Sequence, residues 1–273
     1  MTGSAARPVV TIVMYHFVRP AGVSRFAPPA VLDLAAFQGQ MAYLRRHYSP
    51  VHLWDVIAAA GGAGSLPARP VVLTFDDGYR DHFAHAFPVL RHEQMPAMFF
   101  PVASSLIDRK MLDTNKVQLV LAAAHDPGGL ADEIDDAVQH ATDPGLPAPE
   151  EYHRRWRVAS RFDPPDVAYV KRMLQHALPA SLRATLVDAL FRRHVGADPV
   201  EVAEDLYFTL DQAREMVQAG MDIGAHGDRH IPLTALTREE QARETDGARF
   251  QEVAAGRQPR AEAHAETNRP HEN

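Results

Sequence analysis

Short apolar runs separated by amphipathic segments set the plan of this chain. Val9 to Tyr15 is apolar with a β-branched bias and reads as a first strand. Asp33 then precedes Leu34, Phe37, Met41 and Leu44, which share one face of a helix running to about His47. Asp33 is placed to cap it. Leu53 to Ala60 reads as a short helix, ended by Gly61-Gly62-Ala63-Gly64-Ser65. Pro70 to Phe75 is an apolar run of strand length. A helix from Asp81 to about His92 and a third strand from Pro96 to Val102 follow. Strands alternating with helices predict a parallel sheet, open or closed.

Residues 103 to about 205 break this alternation. The stretch is helical in pattern and acidic in its first half, with Asp132, Glu133, Asp135 and Asp136 clustered. Asp143 to Pro149 reads as a loop, and Leu182, Leu186, Leu190 and Phe191 place a helix over Leu182 to His194. This is a helical insertion, either a wall over the functional rim of the sheet or a passive decoration. The strand pattern resumes at Met221 to Ala225. Thr237-Arg238-Glu239-Glu240 then forms a capping box that opens a last helix. From Gln251 to Asn273 the only apolar residue besides alanine is Val253, so a tail without a packed core is expected.

Composition changes this picture little. A chain of 273 residues can bury one sizeable core, and 46% hydrophobic with 23% charged residues is ordinary for a globular protein. A net charge of −7 argues against nucleic acid as a partner. There is no cysteine, hence neither a disulfide framework nor a thiolate metal site. No run approaches the ~20 apolar residues of a membrane span. The first residues lack the pattern of a signal peptide, so a cytoplasmic location is expected.

Two motifs carry the chemistry. Thr74-Phe75-Asp76-Asp77-Gly78 puts adjacent carboxylates at the end of a buried strand. Side chains alternate faces along a strand, so Asp76 and Asp77 converge only if the backbone turns there, which Gly78 permits. Unpaired carboxylates are costly to bury, unless one binds a metal and the other handles a proton. His226-Gly227-Asp228-Arg229-His230 supplies two imidazoles four residues apart, in a loop between strand and helix. Asp77, His226 and His230 make a three-ligand site with an open position for water. The bland alternatives are a polar turn and two incidental histidines among 15.

With these motifs, and with Met14-Tyr15-His16-Phe17-Val18 ending the first strand, the chain resembles the polysaccharide deacetylases. These carry a NodB-homology domain and form carbohydrate esterase family 4. The likeness extends through Gly78 to Asp81 and Pro96 to Val102, and resumes from Leu210 to about Phe250. It implies a distorted (β/α) barrel over residues 1–250, with the insertion at about 103–205. It makes Asp76 the general base, with Asp77, His226 and His230 holding a divalent metal, usually zinc. The implied substrate is an acetylated amino sugar or polysaccharide, losing N- or O-acetyl groups. The family's later arginine and Pro-Tyr/Phe-Gly segment, and the Leu-x-His that supplies its general acid, are not recognisable. A C-terminally incomplete barrel, from a truncated or frame-shifted product, is therefore expected.

Further residues are candidates for substrate contact or for support of the site. His16 lines the site floor or is a rim histidine. Tyr79 and Arg80 lie just beyond the first motif. Arg80 either pairs with Asp76 or faces solvent, and Asp228 either orients a histidine ring or is exposed. His82 and His85 read as solvated or supporting. Two other functions share this pattern: a hydrolase of small non-sugar amides, and a metal- or carbohydrate-binding remnant without turnover.

Overall fold

The central apolar run becomes the middle of a parallel sheet. A computed structural model describes residues 9–20, 22, 31–143 and 145–254, of which 247–254 are described by backbone alone. The strands are β1 (Thr11–Tyr15), β2 (Val18–Arg19), β3 (Leu32–Asp33), β4 (Ser49–Pro50), β5 (Pro70–Asp77), β6 (Met98–Pro101) and β7 (Asp222–Ile223). The main sheet runs β1-β5-β6-β7, with β4 pairing to the start of β5 and every pair parallel. β2 and β3 form a separate parallel pair. The α/β architecture is the expected one.

The helices are α1 (Leu34–His47), α2 (Leu53–Ala60), α3 (Phe87–His92), α4 (Ala103–Leu106), α5 (Asp113–Ala123) and α6 (Pro127–Gln139). After these come α7 (Pro149–Trp156), α8 (Pro165–Arg172), α9 (Ala180–His194), α10 (Pro199–Leu206), α11 (Leu210–Gln218) and α12 (Arg238–Ala254). Local chemistry sets several ends. Asp33 accepts from the amide nitrogens of Ala35 and Ala36 at 2.9 and 3.4 Å and starts α1. Thr237 and Glu240 cap one another at the start of α12. The backbone of α12 is described to Ala254, and residues 255–273 of the expected tail lie outside the described residues.

Two cores share the molecule. Val71, Leu73 and Phe75 of β5, with Phe99 and Ile223, pack against Phe37 and Met41 of α1, Leu90 of α3 and Met216 of α11. The insertion holds its own core of residues such as Val120, Ile134, Tyr169, Leu190 and Phe191, and this core is continuous with Phe17 and Tyr79. On β1, alternate residues Ile12 and Met14 are more than half exposed, while their register partners Val72 and Thr74 are buried.

Three local expectations are refined by the structure. The strand expected over Met221 to Ala225 is shortened to Asp222–Ile223, although amide bonds from Gly224 to Phe99 and from His226 to Pro101 carry the pairing onward. The helix expected from Asp81 to about His92 is present, interrupted by a π-helical turn at His82–Ala86 before α3. His82, expected to be solvated or supporting, is fully buried against Phe75 and Tyr79. Its Nε2 donates to the His16 carbonyl at 2.7 Å, and its buried Nδ1 has no partner. A second proton would be stranded there, and burial lowers its pKa to about 4.

β5 ends in a left-handed turn, with φ of 72° at Asp77 and 75° at Gly78. A Cβ on Gly78 would lie 2.7 Å from Pro101 Cβ. Gly78→Ala is therefore expected to destabilise the fold by about 1–3 kcal/mol, measured as a fall in the urea midpoint. His82 gives a pH signature. The unfolded imidazole, near 6.5, takes up a proton that the folded one, near 4, refuses, so stability held above pH 6.5 is lost as pH falls toward 4. Between pH 7 and pH 5 this single group should cost about 2 kcal/mol. His82→Gln, which keeps a donor for the His16 carbonyl, should flatten that dependence in urea titrations at the two pH values.

Candidate active site and metal centre

Distant parts of the sequence meet at the end of the sheet. Asp77 is in register with Pro101, and the His226 amide donates to the Pro101 carbonyl at 3.2 Å, so β6 sets the spacing of the two motifs. Asp77 Oδ1 then lies 3.5 Å from His226 Nε2 and 3.4 Å from His230 Nε2. The three ligand atoms all fall within 4.8 Å of one another.

This oxygen is buried and makes no hydrogen bond, because both imidazole distances exceed the usual range. An orphaned carboxylate oxygen facing two ring nitrogens is costly by itself. One carboxylate oxygen and two imidazole nitrogens suit a borderline divalent cation such as zinc, so the residues present fit a metal. Burial holds His230 below the ordinary imidazole range, in the neutral form that a ligand needs.

The other carboxylate oxygen is occupied. The Tyr79 hydroxyl donates to Asp77 Oδ2 at 2.7 Å. Tyr79 is fully buried, and its pKa is raised well above the ordinary phenol value, first by burial and then by the Asp77 charge. Asp76, half-buried beside Asp77, is also pushed up by burial, while His226, His16 and His230 oppose the rise. A carboxylate with a raised pKa is a stronger base.

The histidine loop has an anchor that the sequence pattern did not reveal. Glu244 of α12 is 2% exposed and accepts from the Arg229 amide at 2.8 Å. The Asp228 amide donates to its backbone carbonyl at 3.1 Å. Gly227 has φ of 80°, and a Cβ there would lie 2.8 Å from Glu244 Oε1. A side chain at this position would therefore be strained by its backbone and crowd the Glu244 carboxylate. From the other side, the amides of Ala103 and Ser104, opening α4, donate to the carbonyls of Gly227 and Asp228.

The remaining candidates sort by distance. His16 is 46% exposed with Nε2 3.9 Å from Asp77 Oδ2, so it stands on the rim within reach of a ligand. Arg80 does not pair with Asp76 but meets Asp205 at 3.3 Å on the surface. The Asp228 carboxylate faces Arg229 at 3.8 Å and bonds neither imidazole among the described residues; its backbone is what holds the loop. His85 is partly buried on the π-helical turn. A cleft of about 220 Å³ opens beside His230, lined from the insertion by Asp113, Thr114, His176 and Arg183. Among the described residues no helix is long and apolar enough to cross a membrane.

Known proteins share parts of this sequence and its fold. A family model described as polysaccharide deacetylase matches residues 63–140 and 186–261. The poly-β-1,6-N-acetyl-D-glucosamine N-deacetylase of Escherichia coli K12 is 42% identical over 71 residues, which are 26% of this chain and 11% of that protein. The match therefore spans about a tenth of the length of this curated relative. The Streptococcus pyogenes deacetylase PplD, solved in complex with acetate, superposes with a TM-score of 0.50 at 14% identity, covering 92% of this chain and 71% of that one. At that identity the likeness is one of fold. The family match covers more than half of the chain and includes both motifs that meet at Asp77, so the chain belongs to the polysaccharide deacetylase family.

Proposed function

We propose that this chain is a metal-dependent hydrolase that removes N-acetyl groups from an amino-sugar polymer. One observation carries the reading: the partnerless, buried Asp77 Oδ1 faces His226 and His230, beside a second carboxylate, Asp76. The relative that cleaves N-acetyl groups from a glucosamine polymer, by its name, supplies the substrate class. Asp77, His226 and His230 would hold the cation. When bound, such an ion supplies Lewis acidity toward water and the amide carbonyl.

The chain's own groups do the rest. Asp76 takes a proton from the attacking water as its oxygen bonds to the acetyl carbon. The carbon–nitrogen bond then breaks, and Asp76 returns the proton to the leaving nitrogen, giving acetate and a free amine. Burial favours this double use, because a raised carboxyl pKa narrows the gap between taking a proton and giving it back. The catalytic unit in this reading is residues 1–250, with the insertion as one wall of the substrate cleft.

Zinc content and acetate release, measured together on the full chain, test this. Asp77→Ala should lose both. Asp76→Asn should keep stoichiometric zinc and lose at least ~10²-fold in turnover on acetylated glucosamine oligomers. Equal zinc content in the two variants would contradict the division of roles. A zinc-loaded wild-type chain that releases no acetate would mark a binding remnant.

A chelator arm adds a further expectation. Dialysis against a chelator should abolish acetate release, and added zinc should restore it without refolding. Activity that survives complete metal removal would refute the metal dependence.

A further inference from the structure

The insertion does more than line the cleft: a buried hydrogen-bond chain runs from it to Asp77. The Leu112 amide donates to the Tyr207 hydroxyl at 3.0 Å. With that oxygen accepting, the Tyr207 proton goes to Asn115 Oδ1, 2.6 Å away. The orientation of the Asn115 amide is thereby set, and its nitrogen donates to Gln118 Oε1 at 3.0 Å and to the Tyr79 hydroxyl at 2.8 Å. Tyr79, now accepting, has one proton and one place to send it, Asp77 Oδ2.

The frame around this chain is buried and hydrogen-bonded. Asn115 of α5 is 1% exposed and Tyr207, just past α10, is 1% exposed. Tyr207 forms an antiparallel bridge with Tyr79, and the Phe208 amide donates to the Gly78 carbonyl. The Arg109 guanidinium donates to the carbonyls of Ala203, Tyr207 and Phe208, which pins the end of α10 against the Asp77 turn.

We infer that Asn115 and Tyr207 are positioning residues: acting through Tyr79, they engage Asp77 Oδ2 and leave Oδ1 alone to face the imidazoles, so that Asp77 serves as a one-oxygen ligand. The inference rests on the metal reading above and assigns the insertion a part in it. Affinity for the cation then depends on how α5 and the end of α10 pack, although both lie far from the ligands in sequence. Asn115→Asp is the informative change. It nearly preserves size but puts an acceptor where the amide donated, so that two carboxylates compete for the single Tyr79 proton.

The test is zinc affinity of the full apo chain, by competition with a coloured chelator, together with the visible spectrum of bound Co²⁺. Asn115→Asp and Tyr79→Phe should weaken zinc binding roughly 10- to 100-fold. Both should also alter the Co²⁺ spectrum as Asp77 Oδ2 is released to the ion. Tyr207→Phe, which keeps the ring, should move both readouts in the same direction by less. Asp188→Asn breaks only the surface pair between Lys116 and Asp188, on α5 and α9, and should change neither. If Asn115→Asp does not fold, Tyr79→Phe and Tyr207→Phe decide the matter. Unchanged affinity and spectrum in the folded variants would overturn this inference alone, as would an equal loss in Asp188→Asn. A wild-type chain with no affinity for zinc or cobalt would overturn the metal reading, and this inference with it.

Discussion

The reversal of the backbone at Asp77 is the constraint on which the rest of the site depends. An extended strand would send Asp76 and Asp77 to opposite faces. A φ of 72° at Asp77, followed by 75° at Gly78, swings the second carboxylate away from that alternation. Left-handed backbone at a non-glycine residue is strained, and it persists only where the surroundings over-determine it. Here they do so three times. Pro101 leaves no room for a Cβ at Gly78, the Phe208 amide holds the Gly78 carbonyl, and Tyr79 holds the turned carboxylate by its Oδ2.

The same strand end brings the histidines in. Pro101 of β6 stands in register with Asp77 on one side and accepts the His226 amide on the other. Two motifs roughly 150 residues apart in the chain are thus held at a distance set by strand spacing. Beyond that point the histidine loop leaves regular structure, with positive φ at Gly227 and at His230. A loop of this kind has unpaired backbone groups to satisfy. Glu244 from α12 and the first amides of α4 satisfy them, so the loop is clamped between two helices rather than left to solvent.

The helical insertion joins this arrangement through polar groups rather than through its apolar core alone. Its residues Leu112 and Asn115, with Tyr207 at its end, line up every donor with an acceptor on the way to Asp77. A buried network with all its members satisfied is directional, because each hydroxyl has a single proton to place. Its register therefore reaches the Asp77 carboxylate.

Sequence alone determined the strand–helix alternation, the caps at Asp33 and Thr237, the helical character of residues 103–205, and the two motifs that offer Asp77, His226 and His230 as candidate donors. Each is written in short-range pattern: period, cap chemistry, or donor types at fixed spacing. Only the tertiary structure decided that His82 is buried, that Arg80 turns to Asp205 rather than Asp76, and that Asp228 acts by its backbone. It alone singled out Glu244, Asn115 and Tyr207, which look like ordinary polar residues of helical stretches. Periodicity shows which face of an element is buried, but the partner of a buried polar group comes from whichever remote segment the fold brings beside it.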